Sequence, residues 1–309
     1  MPEIPPLPPI ASQPISVVLL ARDEEPHLEA VLRLWLDVLG GLNRDFEIIL
    51  VNDGSRDRTL EIATGAVLAT GLGTGLGSFQ VLNHEQPQGI GAALRTGLAT
   101  SRFPLLFYTT ADREYRPADI SLLLGEIDKV HLLSGYRRGQ PVPWPLRGLG
   151  FFWRLVLRVV FDLAPERLPG WLGWKEHLYR MVIRLVFAVR TRDMNCAFRL
   201  CRRHIFARIP IQSNGPFAHT EILIKANFLG CVLGEEVPIA HQPRLGSLGD
   251  WTGSDYRKLA REGLQVFKHA DFGPPEVVGW PEPNVNGAKK ETSDPASAPE
   301  ASEIKTPAS

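Results

Sequence analysis

The strongest constraint on the fold is an alternation. Short apolar runs rich in β-branched residues, SVVLLA at 16–21, FEIILV at 46–51, QVLN at 80–83 and PLLFYTT at 104–110, are separated by helically spaced stretches. Those stretches are PHLEAVLRLWLDVLGGL, RTLEIATGAVLA, GIGAALRTGLATSR and PADISLLLGEI. A strand that is apolar on both faces must be covered on both faces, and helices between successive strands let them run parallel. The pattern therefore predicts an α/β fold with a mostly parallel central sheet and helices on both sides. In such sheets ligands bind at the carboxyl ends of the strands. A chain of 309 residues that is 44% hydrophobic suits one large domain of this kind with appendages.

The polar residues gather at those ends. Arg22-Asp23-Glu24-Glu25 follows the first run, VNDGSRDRT the second, and TTADRE the run at 104–110. Three acidic clusters are expected on one edge, although NDGS alone reads equally well as a helix-capping turn. GLGTGLG contains no register of G-x-G-x-x-G and is read as a loop. In QGIGAALRTG, Gly89 and Gly91 either let backbone approach a phosphate or serve tight packing.

Lys+Arg and Asp+Glu both number 34, which gives no reason to expect nucleic acid as a partner. Cys196, Cys201 and Cys231 are odd in number and not spaced as metal ligands, so neither a disulfide framework nor a zinc site is expected, and a reducing cytoplasm fits. Residues 1–13, proline-rich and without a basic n-region, read as a flexible lead and not a signal peptide. No transmembrane helix is expected. Residues 14–271 form the predicted domain, and 272–309, rich in Pro, Ser, Ala and Glu, read as a disordered tail.

The order of motifs SVVLLARDEEPHLEAVL, EIILVNDGSRDRT, QGIGAALRTGLATS, FYTTADREYRPADI, SGYRRG, RDMNCAFRLCRR and EEVPIAHQPRLGSLG resembles family 2 glycosyltransferases of the GT-A fold. Within them it resembles the polyprenyl-phosphate (dolichol-phosphate) mannosyl- or glucosyltransferase group, over roughly residues 14–255. The resemblance implies an inverting transfer of a hexose from a GDP- or UDP-linked sugar to a polyprenyl phosphate at the cytoplasmic membrane face. It puts Leu20, Arg22, Glu24, Val51, Asp53, Thr110, Ala111 and Asp112 at nucleotide-sugar positions, with Leu20 and Arg22 replacing the usual Pro and aromatic. Arg137 and Arg244 match arginines beside the donor phosphates, and Arg244 with Arg199 would meet the acceptor phosphate. Glu221 matches a carboxylate facing the sugar, with a buried cap or salt bridge as the equal alternative. Asp112, Arg137 and Arg244 are the implied catalytic residues, and His241 is given no role.

The family's D-x-D falls on Thr110, Ala111 and Asp112, so its first carboxylate is missing, and Glu114 takes the next metal-side position. A Mg²⁺ or Mn²⁺ ion held by Asp112, Glu114, diphosphate and water is the implied cofactor. The competing reading makes this a solvated turn with Asp112 capping the next helix. Between SGYRRG and RDMN, in the segment 146–190, FFWRLVLRVVFDLA (151–164) and LYRMVIRLVFAVR (178–190) carry their charges along one edge of apolar helices. They are expected to lie in a membrane interface, with a buried hairpin or a homodimer contact as alternatives. Two other functions stay open: a transferase with another glycan acceptor, and a degenerate, non-catalytic nucleotide-binding homologue.

Overall fold

The computed structural model describes residues 7–70, 77–137, 173–242 and 253–273. The first half follows the predicted alternation: β1 (Ile15–Ala21), α1 (Leu28–Gly40), β2 (Phe46–Asp53), α2 (Thr59–Thr70), β3 (Gly77–His84), α3 (Ile90–Thr100) and β4 (Leu105–Thr110). A short α4 (Ile120–Leu124) and β5 (Leu132–Arg137) follow. Then come α5 (Gly173–Phe187), β6 (Arg199–Arg202), α6 (Phe217–Phe228), β7 (Val237–Ile239) and α7 (Gly253–Lys268).

The seven described strands form one sheet in the order β3-β2-β1-β4-β6-β5-β7. β1 pairs in parallel with both β2 and β4, with Val17 opposite Ile48 and Phe107. Every residue of β1, β2 and β4 is buried, which is why these runs read as continuous hydrophobic stretches and not as alternating ones. β6 departs from the parallel rule. It runs antiparallel between β4 and β5, with Leu106 opposite Cys201 and Leu200 opposite Leu133.

Two apolar layers cover the sheet. α1, α2 and α4 pack on one face around Trp35, Phe107 and Phe198. α3, α5, α6 and α7 cover the other, where α6 is buried from Phe217 to Ala226. Cys196, Cys201 and Cys231 are buried free thiols. The lead is not wholly loose: Ile10 is buried, the Ile10 and Ala11 N–H groups donate to Asp128, and Arg202 donates to the Pro8 carbonyl. A proline-rich stretch gives little sequence signal for such pinning, because the partners lie more than 100 residues away. Residues 71–76, which hold all of the glycine loop but Gly77, the first expected interface helix at 151–164 and the tail beyond 273 lie outside the described residues. No described helix is long and apolar enough to cross a membrane.

Candidate active site

The carboxyl ends of β1, β2 and β4 do share one edge, and their acids divide into two kinds. The first kind ties loops together. Asp23 Oδ1 accepts the Arg56 N–H at 2.8 Å and Glu25 Oε2 accepts the Arg58 N–H at 3.1 Å, while Asp57 Oδ2 accepts the Glu25 N–H at 3.0 Å. In return the Asp23 N–H donates to Ser55 Oγ and the Glu24 N–H to Thr59 Oγ1. The loops after β1 and β2 are thus laced by reciprocal side-chain-to-backbone bonds, the ordinary work of Asp, Ser and Thr in turns.

Asp53 works similarly. Its Oδ1 bonds His84 Nδ1 at 2.9 Å and accepts the Gln88 N–H at 2.8 Å, and its Oδ2 accepts the Gly89 N–H at 2.9 Å. Burial pushes this carboxyl up, but the bonds from His84, Gln88 and Gly89 outweigh it and the net shift is downward. The glycines beyond serve packing: the Gly91 N–H donates to the Asn214 carbonyl, and a Cβ on Gly91 would stand 2.1 Å from the Ser213 oxygen.

Asp112 is of the second kind. It is 2% exposed, directly past the end of β4. Its Oδ1 accepts the Thr110 hydroxyl at 2.9 Å and the Glu114 N–H at 3.2 Å, whereas Oδ2 is buried with no hydrogen-bond partner. Burial, then the Glu114 charge, pushes the carboxyl up to about 6. Arg113 between the two acids adopts the left-handed conformation (φ 58°), which costs a non-glycine residue about 1–2 kcal/mol. Arg113 is exposed and its neighbours are buried. Asp112 neither sits in a solvated turn nor caps a helix, since no side chain caps the short 3-10 turn Pro117–Asp119.

The sequence gives His241 no role, yet the structure brings it here. An antiparallel bridge joins Tyr115 to His241, the Gln242 N–H donates to the Glu114 carbonyl, and His241 Nε2 lies 3.4 Å from Glu114 Oε2. Its signal would have been its place just after the strand VPI, at the edge where the other polar residues collect. Two crowded, buried carboxylates with one unpartnered oxygen suit a hard divalent cation, and an imidazole stands beside them. Among the described residues no three such groups are already gathered around one point. The donor set fits a cation that also takes oxygens from a ligand.

Other expected site residues are held by partners of their own. Arg137, at the end of β5, is held by Asp193 in a fork: Nε donates to Oδ2 at 2.7 Å and Nη2 to Oδ1 at 2.9 Å. Burial would raise Asp193, and the Arg137 charge overrides it, holding the carboxyl down at about 2. Glu236 in turn accepts the N–H groups of Arg192 and Asp193, and burial lifts it to about 7.

Arg199 is not at the cleft. It is wholly buried, and its guanidinium donates to the carbonyls of Met194 and His219. Glu221 is wholly buried too, where it accepts the N–H groups of Gln212 and Ser213 and pairs with Lys225 at 2.8 Å. The salt bridge weighed from sequence is present, and the carboxylate ties down the 212–213 loop instead of capping a helix. Leu20 and Val51 point into the core between sheet and α3, and the Leu20 carbonyl already accepts the Ala111 N–H. Arg22 and Glu24 stay at the edge. Arg244 and the segment 151–164 lie outside the described residues. In α5, Val182, Leu185 and Val186 are exposed.

The family model for glycosyl transferase family 2 matches residues 16–209. An undecaprenyl-phosphate 4-deoxy-4-formamido-L-arabinose transferase from Pseudomonas paraeruginosa is 27% identical over 216 residues, 67% of this chain and 55% of that protein. A dodecaprenyl-phosphate galacturonate synthase from Rhizobium johnstonii is 23% identical over 205 residues, 66% of this chain and 52% of that protein. The chain spans about half the length of these relatives. Among solved structures, glucosyl-3-phosphoglycerate synthase from Mycobacterium tuberculosis, in complex with Mn²⁺, UDP and glucosyl-3-phosphoglycerate, superposes with a TM-score of 0.53. It is 20% identical and covers 86% of this chain and 82% of its own. The fold is GT-A.

Proposed function

Because the chain belongs to glycosyl transferase family 2, we propose that it transfers a sugar from a GDP- or UDP-linked donor to a polyprenyl phosphate, with inversion at the anomeric carbon, at a membrane surface. The observation that carries this reading is Asp112 Oδ2, a buried, unpartnered carboxylate oxygen beside Glu114 at the carboxyl end of β4. The names of the relatives support the acceptor, and the bound UDP of the structural neighbour supports a nucleotide donor.

A phosphate acceptor already carries its nucleophilic oxygen as an anion. The site therefore needs alignment and charge neutralisation more than a general base. Asp112 and Glu114 would hold a Mg²⁺ or Mn²⁺ ion, which supplies positive charge to a departing diphosphate. Arg137, fixed in orientation by Asp193, would offer its remaining N–H donors to the same phosphates, and Arg244 would serve the acceptor phosphate. Arg199 and Glu221 position the backbone of 194–221 and touch neither substrate. The laced loops after β1 and β2 form the wall for the nucleoside, with Arg22 and Glu24 on its rim.

Thr110 in place of an acid favours a second reading, a nucleotide-binding homologue without transfer. A screen of nucleotide sugars with undecaprenyl phosphate, with and without EDTA, separates the two. Chelator-sensitive transfer from one donor supports the enzyme, and nucleotide binding without transfer from any donor supports the homologue.

A further inference from the structure

Most of the large apolar side chains exposed among the described residues lie on one side of the molecule. Leu185 and Val186 of α5, Phe228 at the tip of α6, and Leu264 and Phe267 of α7 are each more than half exposed. Phe228 and Phe267 belong to one surface, because Phe187 packs edge-on against both Phe228 (6.4 Å) and Phe267 (5.7 Å), and Phe228 continues to Phe272 (6.2 Å). α6 is buried along its length until this tip emerges between α5 and α7. A monomeric soluble protein seldom leaves so contiguous an apolar patch bare.

We propose that α7 and the tip of α6, together with α5, form a docking surface for an anionic lipid bilayer. Only α5 belongs to the segment that sequence pointed to, so the surface extends beyond it. Its border is cationic: Arg190 on one side, and Arg257, Lys258, Arg261 and Lys268 along α7, all exposed. The acids of this region are engaged, with Glu262 accepting the Gly215 N–H and Asp271 the Gly273 N–H. Along α7, Arg257, Arg261 and Lys268 fall on one stripe and Ala260, Leu264 and Phe267 on the adjoining one, so a row of cations borders the apolar face. With 16 residues and this many charges α7 lies on a bilayer and does not cross it. A second copy of the chain fits less well, because a two-fold contact through this patch sets its basic rim against itself.

The inference rests in part on a lipid acceptor, and the experiment keeps the two apart. The 309-residue chain is co-sedimented with vesicles of phosphatidylcholine, with and without phosphatidylglycerol, beside a thermal melt and a sedimentation-velocity run. Phe228→Ser with Phe267→Ser should lower partitioning onto the anionic vesicles by at least about tenfold, and Leu264→Ser alone should lower it measurably. The melts should stay unchanged, since these side chains are already exposed. Arg261→Glu with Lys268→Glu should abolish the preference for anionic vesicles and its salt sensitivity. Partitioning that ignores all these changes overturns the proposal, and so does a wild-type dimer that the Phe variants dissociate. Transfer to a short, water-soluble prenyl phosphate is read in parallel, and its absence in wild type counts against the proposed function without touching the vesicle result.

Discussion

Thr110 gives its hydroxyl to Asp112 Oδ1 at 2.9 Å, and the other oxygen of that carboxylate is left buried and unpartnered. The threonine, at a position where the resemblance implies an acid, thus orients the Asp112 carboxylate and aims Oδ2. Asp112→Asn should lower transfer by at least about a hundredfold, the scale of losing one preorganised electrostatic group, with donor-independent folding intact by circular dichroism. Thr110→Asp should tighten Mn²⁺ binding in the presence of UDP, measured by calorimetry. A site indifferent to both changes is not the cation site.

The raised Asp112 carboxyl makes a pH prediction whose sign follows from proton counting. Its folded value of about 6 exceeds the ordinary 3.8, so between those pH values the folded state holds more protons than the unfolded one. Stability must therefore fall as pH rises from about 4 to about 6, by on the order of 2 kcal/mol for this group. Asp112→Asn removes that component, so the wild-type melt should lose its advantage over the variant, or fall below it, across this window. Mn²⁺ with UDP at pH 7 should restore the wild type and not the variant. Parallel melting curves for the two proteins from pH 4 to 7 would contradict the assignment.

Arg137 and Asp193 supply a test of structure against chemistry. Asp193→Ala leaves a half-buried guanidinium without its carboxylate, which should cost about 2–3 kcal/mol, below the cost for a fully buried pair, and roughly 5–10 °C in a domain of this size. Asp193 is held low, so its contribution is present above about pH 4 and is lost as pH falls toward 2. Replacing both partners, Arg137→Met with Asp193→Leu, should recover most of the melting temperature. Transfer should stay lost if Arg137 serves the phosphates as proposed, because those donors are gone. Recovery of activity with stability would reduce the pair to a scaffold.

The alternation of strands and helices was legible because burial on both faces of a parallel sheet writes itself as unbroken apolar runs. β6 was not foreseen. Its four residues, RLCR, carry two arginines that satisfy distant carbonyls, and no local pattern reveals such partners. The same limit governs the site. The acid cluster at 112–114 was visible as a strand end turning polar, whereas the burial of Arg199 and Glu221 depends on 194–221 folding back over the sheet. A motif position fixes where a residue stands in the chain, and the packing around it decides whether its head reaches solvent.

His241 carries the last prediction. It follows β7 and is held to the Tyr115 backbone by a bridge, with Nε2 3.4 Å from Glu114 Oε2. Two roles are compatible with that distance: a neighbour that orients the Glu114 carboxylate, or a further donor to the cation. Ligand preference separates them. Imidazole nitrogen binds Co²⁺ well and Mg²⁺ poorly, whereas carboxylates serve Mg²⁺ and Mn²⁺ alike. If His241 is a donor, His241→Ala should weaken Co²⁺ binding by about tenfold, or about 1.4 kcal/mol, and leave Mg²⁺ binding nearly unchanged. If it only orients Glu114, the two ions should weaken together. Calorimetric titration of each ion into the UDP complex of wild type and variant reads the difference directly. An equal loss for both ions removes His241 from the donor set and leaves Asp112 and Glu114 as its protein members.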